Sequence, residues 1–288
     1  MSTTSPSSKP RSRSNKRSRE VAEQAAPRQK SPGALIEQLR ELRLPMFREH
    51  FEVQAERALR ESLSHTEYLS ELTELECQAR RESRITRLMQ RSRLPSSKTW
   101  DNFKWSRLPL GLARQLESLR DGSFLDRREN LLLFGKPGSG KSHCLCALGE
   151  QLVHQGRSIL FNTCSLLMQE LLIAKRDLRL AKVIKKLLRF DGLIIDDLGY
   201  VQQSREEMEV LFTLLAERYE RGSVMLTSNL PFSKWEQIFK DAMTTAAAID
   251  RLVHHSVILE LNVPSYRLEN AKKSDTSQAR KKTKPAKK

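Results

Sequence analysis

The 288-residue sequence contains no run of 18 or more apolar residues, so no helix spanning a bilayer is expected. Its opening residues are Ser, Pro and Arg with no apolar stretch, which predicts no secretory leader and a cytoplasmic address. Cysteine is scarce. Cys77, Cys144, Cys146 and Cys164 lack the paired CxxC spacing of a zinc ribbon, and no His follows them at finger spacing. Reduced, structural thiols are therefore expected, since free cysteine is among the most buried residue types. Charge balance is also missing, with a formal net charge of +16. Residues 1–30 carry eight Lys/Arg against two Glu, and residues 271–288 carry eight against one Asp, so the stretch between them is nearly neutral.

These asymmetries divide the chain. Residues 1–32, with KPRSRSNKRSRE at their centre, have too few apolar side chains to offset the entropy of ordering and are expected to be a disordered basic tail. Residues 271–288 read the same way. Both tails suit phosphate contact by counterion release, with a solubilising or fraying tail as the alternative. Residues 33–95 read as a small all-α domain. Leu35, Leu39 and Leu42 share a face, Pro45 breaks the pattern, and Phe47 and Phe51 mark a second helix. A third helix opens with a capping box from Ser64 to Glu67 and stops before Pro95. Arg80, Arg84, Arg87 and Arg91 fall on one of its faces, either solvated or placed to track a phosphate backbone.

Residues 96–270 alternate strands and helices. Strands are expected at Leu131–Phe134, Ser158–Phe161, Leu193–Asp196, Val224–Ser228 and Val257–Leu261. Ser204 to Glu207 and Ser233 to Glu236 read as further capping boxes, and Gly156 and Gly222 stand where helix-ending glycines belong. The alternation predicts an α/β fold: a parallel sheet flanked by helices on both faces.

The chemistry concentrates in three strand ends. Gly135, Lys136, Pro137, Gly138, Ser139, Gly140, Lys141 and Ser142 spell GxxxxGK[ST], placed between an apolar strand and a helical pattern. Such a P-loop curls so that its amides converge on a β-phosphate, with the following helix dipole behind them. Lys141 is expected to reach the β- and γ-phosphates of ATP, and Ser142 to bind Mg²⁺. A second strand ends in Asp196 and Asp197. At a strand tip facing the P-loop, Asp196 suits the Mg²⁺ position and Asp197 suits orientation of the attacking water. A third strand ends in Asn229, expected to hold that water or sense the γ-phosphate, or else to start the turn at Pro231.

In this order the elements resemble the AAA+ P-loop ATPases, and within them the IstB-like transposition helpers and the related DnaC-type helicase loaders. The resemblance runs from about Gly33 to Arg267. It rests on ELRLPMF, KTWDNF, His143 directly after the P-loop, IIDDLGY, RYERGSVMLTSNLPFSKW, RLVHH and SYRL. It implies that His143 belongs to the nucleotide site, that Arg251 is an arginine finger completing the ATP site of a neighbouring subunit, and that Arg267 is a second sensor. It also places Trp100 and Phe103 at the adenine pocket, with core packing as the alternative. Asp197 departs from the glutamate that most AAA+ proteins carry there, being one methylene shorter. The basic tails are additions to the family plan.

The expectation is thus a Mg²⁺-dependent ATPase, stimulated by DNA, that forms a homo-oligomer with ATP between subunits on double-stranded DNA. It would assist the transposase of an insertion sequence in engaging target DNA. A replicative helicase loader, and a nucleotide-binding switch without turnover, are the two rival readings.

Overall fold

The computed structural model describes residues 32–199, 204–239 and 242–266. The chain divides into two compact units, Met1–Arg80 and Arg81–Lys288. That division falls inside a long helix, whose last turns group with the larger unit, whereas the sequence pattern puts the change at residue 95. Apart from Pro32, which opens the first helix, both basic tails lie outside the described residues.

In the smaller unit, α1 (Pro32–Glu41) and α2 (Pro45–Glu61) are followed by the first part of α3 (His65–Ser92). Pro45 starts α2 at its first turn, where the missing amide hydrogen costs nothing. The Ser64 capping box is formed: the Ser64 amide donates to Glu67 at 2.7 Å, and the Glu67 amide donates to Ser64 Oγ at 3.2 Å. Of the expected leucine face only Leu39 is buried, while Leu35 and Leu42 stay exposed. Glu76 is buried and accepts from the Met46 amide at 2.9 Å and from Arg80 Nε at 2.7 Å, which offsets the desolvation of its carboxylate.

The larger unit contains α4 (Leu110–Ser118), α5 (Ser123–Asp126), β1 (Asn130–Phe134), α6 (Lys141–His154), β2 (Ile159–Thr163), α7 (Cys164–Arg176), α8 (Leu180–Leu187), β3 (Gly192–Leu198), α9 (Arg205–Arg218), β4 (Ser223–Ser228), α10 (Glu236–Phe239), α11 (Ala242–Val253) and β5 (Ser256–Glu260). All five expected strands form, in one parallel sheet of order β2-β3-β4-β1-β5. Side chains alternate between its faces. Leu132, Phe134, Leu193, Ile195 and Leu226 join one core with α7, α8, α9 and α11, whereas Leu131, Leu133, Ile194 and Met225 join another with α4, α5 and α6. Helices cover both faces, which is why these strands read as continuous apolar runs.

Two local readings need correction. Ser233 lies inside a 3₁₀ turn (Phe232–Lys234) capped by Pro231, so Ser233 to Glu236 does not open a helix. Gly222 is not the left-handed residue after α9; Glu220 takes that conformation, with φ 57°. Glycine is required at 222 for space, because a Cβ there would lie 2.7 Å from Nη2 of Arg218. That guanidinium is 1% exposed and donates to the carbonyls of Leu187, Phe190, Asp191 and Ser223. Burial lowers its pKa to about 10, so it still carries its charge at neutral pH.

The arginine stripe of α3 is exposed at Arg80, Arg84, Arg87 and Arg91, as a solvated face would be; Arg84 donates to the Gly156 carbonyl at 3.1 Å and Arg91 lies 5.7 Å from the Phe190 ring. The Ser204 capping box and the left-handed Gly156 are present as expected.

Candidate nucleotide site

In a parallel sheet the carboxyl ends of the strands share one edge, and a ligand crevice opens there. The Gly135–Ser142 loop leaves β1 at this edge. Its glycines are needed for approach as well as for conformation: a Cβ at Gly138 would lie 2.1 Å from Ser265 Oγ, and one at Gly135 would lie 2.5 Å from the Leu261 carbonyl oxygen. The segment after β5 therefore backs the loop closely, and the Tyr266 amide donates to the Gly138 carbonyl at 2.9 Å. Gly140, at φ 101°, caps α6, whose first residue is Lys141.

Lys141 is 4% exposed. Its ammonium donates to the carbonyls of Gly135 at 2.7 Å and Lys136 at 3.1 Å, and to Asn229 Oδ1 at 2.7 Å. Asn229 is thus joined to the P-loop. The turn that follows it is made by Ser228, whose Oγ accepts from the Leu230 amide at 3.2 Å and donates to the Leu198 carbonyl at 2.9 Å.

Asp196 and Asp197 end β3 in opposite environments. Asp196 is buried, and its Oδ1 accepts from Thr227 Oγ1 at 2.6 Å. Asp197 is exposed and sits at a bulge with φ 62°, a left-handed conformation uncommon outside glycine. The Asp197 amide donates to the same Thr227 hydroxyl at 2.8 Å. A bulge at a strand end re-aims a side chain, and here it turns Asp197 into the cavity wall. Sequence reasoning missed Thr227. The signal was its place two residues before Asn229 on the adjacent strand, which only the pairing of β3 with β4 makes meaningful.

A cavity of about 690 Å³ opens beside these groups, and the buried Asp196 is not in its lining. Gly138, Lys141, Ser142, His143, Asp197 and Asn229 form one side; Phe103, Arg107 and Tyr266 belong to its lining as well. His143 Nε2 lies 2.8 Å from the Thr99 carbonyl oxygen, and its ring meets Phe103 edge-on at 5.3 Å. Arg107 stands 5.3 Å from the Tyr266 ring. Trp100 is outside the lining and stacks on Trp105 at 4.8 Å, so of the two aromatic candidates Phe103 faces the cavity and Trp100 belongs to the packing. Behind the loop, burial raises the Cys144 thiol and pushes Cys146 up to about 12, leaving both protonated and inert.

Arg251 lies on α11 outside the cavity lining, its guanidinium 4.7 Å from the Phe212 ring and donating to the Ala247 carbonyl at 3.2 Å. Arg267 lies outside the described residues.

A family model described as IstB-like ATP binding protein matches residues 37–274. The chain belongs to this IstB-like family. Among its relatives, a Sinorhizobium fredii protein named as an insertion-sequence ATP-binding protein is 42% identical over 81% of this chain and 78% of its own length. A Pseudomonas aeruginosa protein named as the ATP-binding protein of insertion sequence IS21 is 35% identical over 82% of this chain and 89% of its own. Solved structures show the same fold at low identity. DnaI aligns with a TM-score of 0.50 and 19% identity over 59% of this chain and 95% of its own. AMPPCP-bound DnaA from Aquifex aeolicus aligns with a TM-score of 0.50 and 15% identity over 65% of this chain and 57% of its own. The IstB-like chain has the parallel α/β sheet flanked by helices, with a P-loop after its first strand, that its sequence predicted, and among its described residues no helix is long and apolar enough to cross a membrane.

Proposed function

We propose that this chain is a Mg²⁺-dependent ATPase that assembles on duplex DNA, with ATP held between neighbouring subunits, and assists the transposase of an insertion sequence. One observation carries the catalytic part: Lys141, Asp197 and Asn229, from three different strand ends, share the wall of one cavity with the P-loop.

The donor set fits the nucleotide and its ion. Among the described residues, Ser139 Oγ is buried in the P-loop without a hydrogen-bond partner, an acceptor or donor suited to a ligand. Ser142 and Asp196 offer hard oxygen ligands suited to Mg²⁺, which when bound would neutralise charge developing on the phosphates. Thr227 engages one oxygen of Asp196 and fixes the carboxylate for that role. Gly135–Ser142 would bind the phosphates through loop amides, with His143 bracing the wall through Thr99 and Phe103. Lys141 would exchange its bonds to Gly135, Lys136 and Asn229 for phosphate oxygens, which frees Asn229 to hold the attacking water. Asp197, turned outward at its bulge, would orient the same water and accept its proton.

Arg251 would act in the site of the neighbouring subunit, since it lies outside the lining of its own cavity. Arg267 would follow the family role of a second sensor. DNA contact is supported by α8, where Lys182, Lys185 and Lys186, with Arg189 just beyond the helix, are all exposed while Ile184 and Leu187 are buried. Composition alone assigns the basic excess to the tails and passes over this face.

The test is phosphate release with and without long duplex DNA. The unaltered chain is expected to turn over faster with DNA, and Arg251→Ala to keep ATP uptake while losing about 10³-fold of that turnover. Full activity in the variant removes the finger, and turnover indifferent to DNA removes the DNA-borne assembly.

A further inference from the structure

At the opposite edge of the sheet, where strands begin, three ligating side chains meet. Glu220 follows α9, and His254 and His255 follow α11. One ligand atom from each lies within 4.8 Å of the other two, and all three residues are exposed. We propose that Glu220, His254 and His255 form a binding site for a divalent transition ion of the zinc type, separate from the nucleotide site.

The backbone carrying the ligands is fixed. Glu220 is held left-handed at φ 57°, and its carbonyl accepts from Arg128 Nη1. The carbonyl of His255 accepts from the Asn130 amide at 2.7 Å, tying the histidine turn to the start of β1. Tyr219 Oη lies 2.8 Å from His254 Nδ1, which orients that ring. The two imidazoles meet edge to face at 4.1 Å, so both rings sit at one corner. Glu129, on the nearby strand lead, is occupied by a bidentate pair with Arg127.

Ligand atoms around a tetrahedral zinc sit roughly 3.3 Å apart, so at most about 1.5 Å of side-chain rotation closes the set, with water in the fourth position. Two imidazoles and one carboxylate favour zinc and its neighbours over Mg²⁺ or Ca²⁺, which take oxygen ligands. The ends of α9 and α11 both lie here, and the negative poles of two helix C-termini add to the attraction for a cation. A bound ion would join these ends, one helical turn beyond Arg251.

The experiment is calorimetric titration of ZnCl₂ into the untagged, chelator-stripped full-length chain. One ion per chain is expected. Glu220→Gln and His255→Asn should each weaken uptake by at least about tenfold, with ATP uptake retained as the sign of a folded protein. Cys77→Ser, which removes the exposed thiol, should bind as the unaltered chain does. No zinc uptake by the unaltered chain, undiminished uptake in either of the first two variants, or loss of uptake in Cys77→Ser overturns the assignment.

Discussion

Thr227 is a small residue on which the chemistry of two larger ones depends. Its hydroxyl donates to the buried Asp196 carboxylate and accepts from the Asp197 amide, so one oxygen sets both the proposed ion ligand and the left-handed turn beside it. Thr227→Val keeps the shape and removes both bonds. Because it acts on groups around the ion and not on the phosphates, turnover should fall about 10- to 100-fold while ATP uptake changes little. Steady-state phosphate release alongside calorimetry checks this, and unchanged turnover would make the threonine a packing residue. Gly222 shows the same dependence on a neighbour. It reads as a helix stop, yet the constraint is the buried guanidinium of Arg218 beside it.

Among elements, legibility followed how local the cause was. The strands were readable because each is a short apolar run, β1, β3 and β4 being buried on both faces and β5 on one, and the capping boxes at Ser64 and Ser204 because their partners sit three residues away. Gly135–Ser142 and the Asp196–Asp197 pair were readable as contiguous motifs. Thr227 was not, since its role exists only once β4 lies beside β3. Trp100 and Phe103 were indistinguishable in sequence, and only the stacking on Trp105 assigns one to the core and leaves the other facing the cavity.

The basic face of α8 was overlooked because its charge disappears into a nearly neutral domain average. It carries its own prediction. Replacing Lys182, Lys185 and Lys186 with alanine should weaken duplex binding and flatten the dependence of log K on log salt by roughly two to three, at about 0.9 for each phosphate no longer neutralised. Fluorescence anisotropy across a salt series measures the slope, and an unchanged slope places DNA elsewhere.

At the scale of the whole molecule, functions separate by position. Nucleotide groups gather where the parallel strands end, the Glu220–His254–His255 cluster lies where they begin, and α8 and the terminal tails carry concentrated positive charge. Arg251 lies outside its own cavity lining, which is the arrangement an assembly with shared sites requires. All of this presupposes that a triphosphate enters the cavity over the P-loop. Calorimetric titration of ATP with Mg²⁺ into the full-length chain measures that directly. One nucleotide per chain is expected, with uptake weakened at least about tenfold in Lys141→Ala, whose loss removes charge-assisted bonds of about 1.5–3 kcal/mol each. No uptake by the folded chain, or equal uptake by Lys141→Ala, would contradict the account.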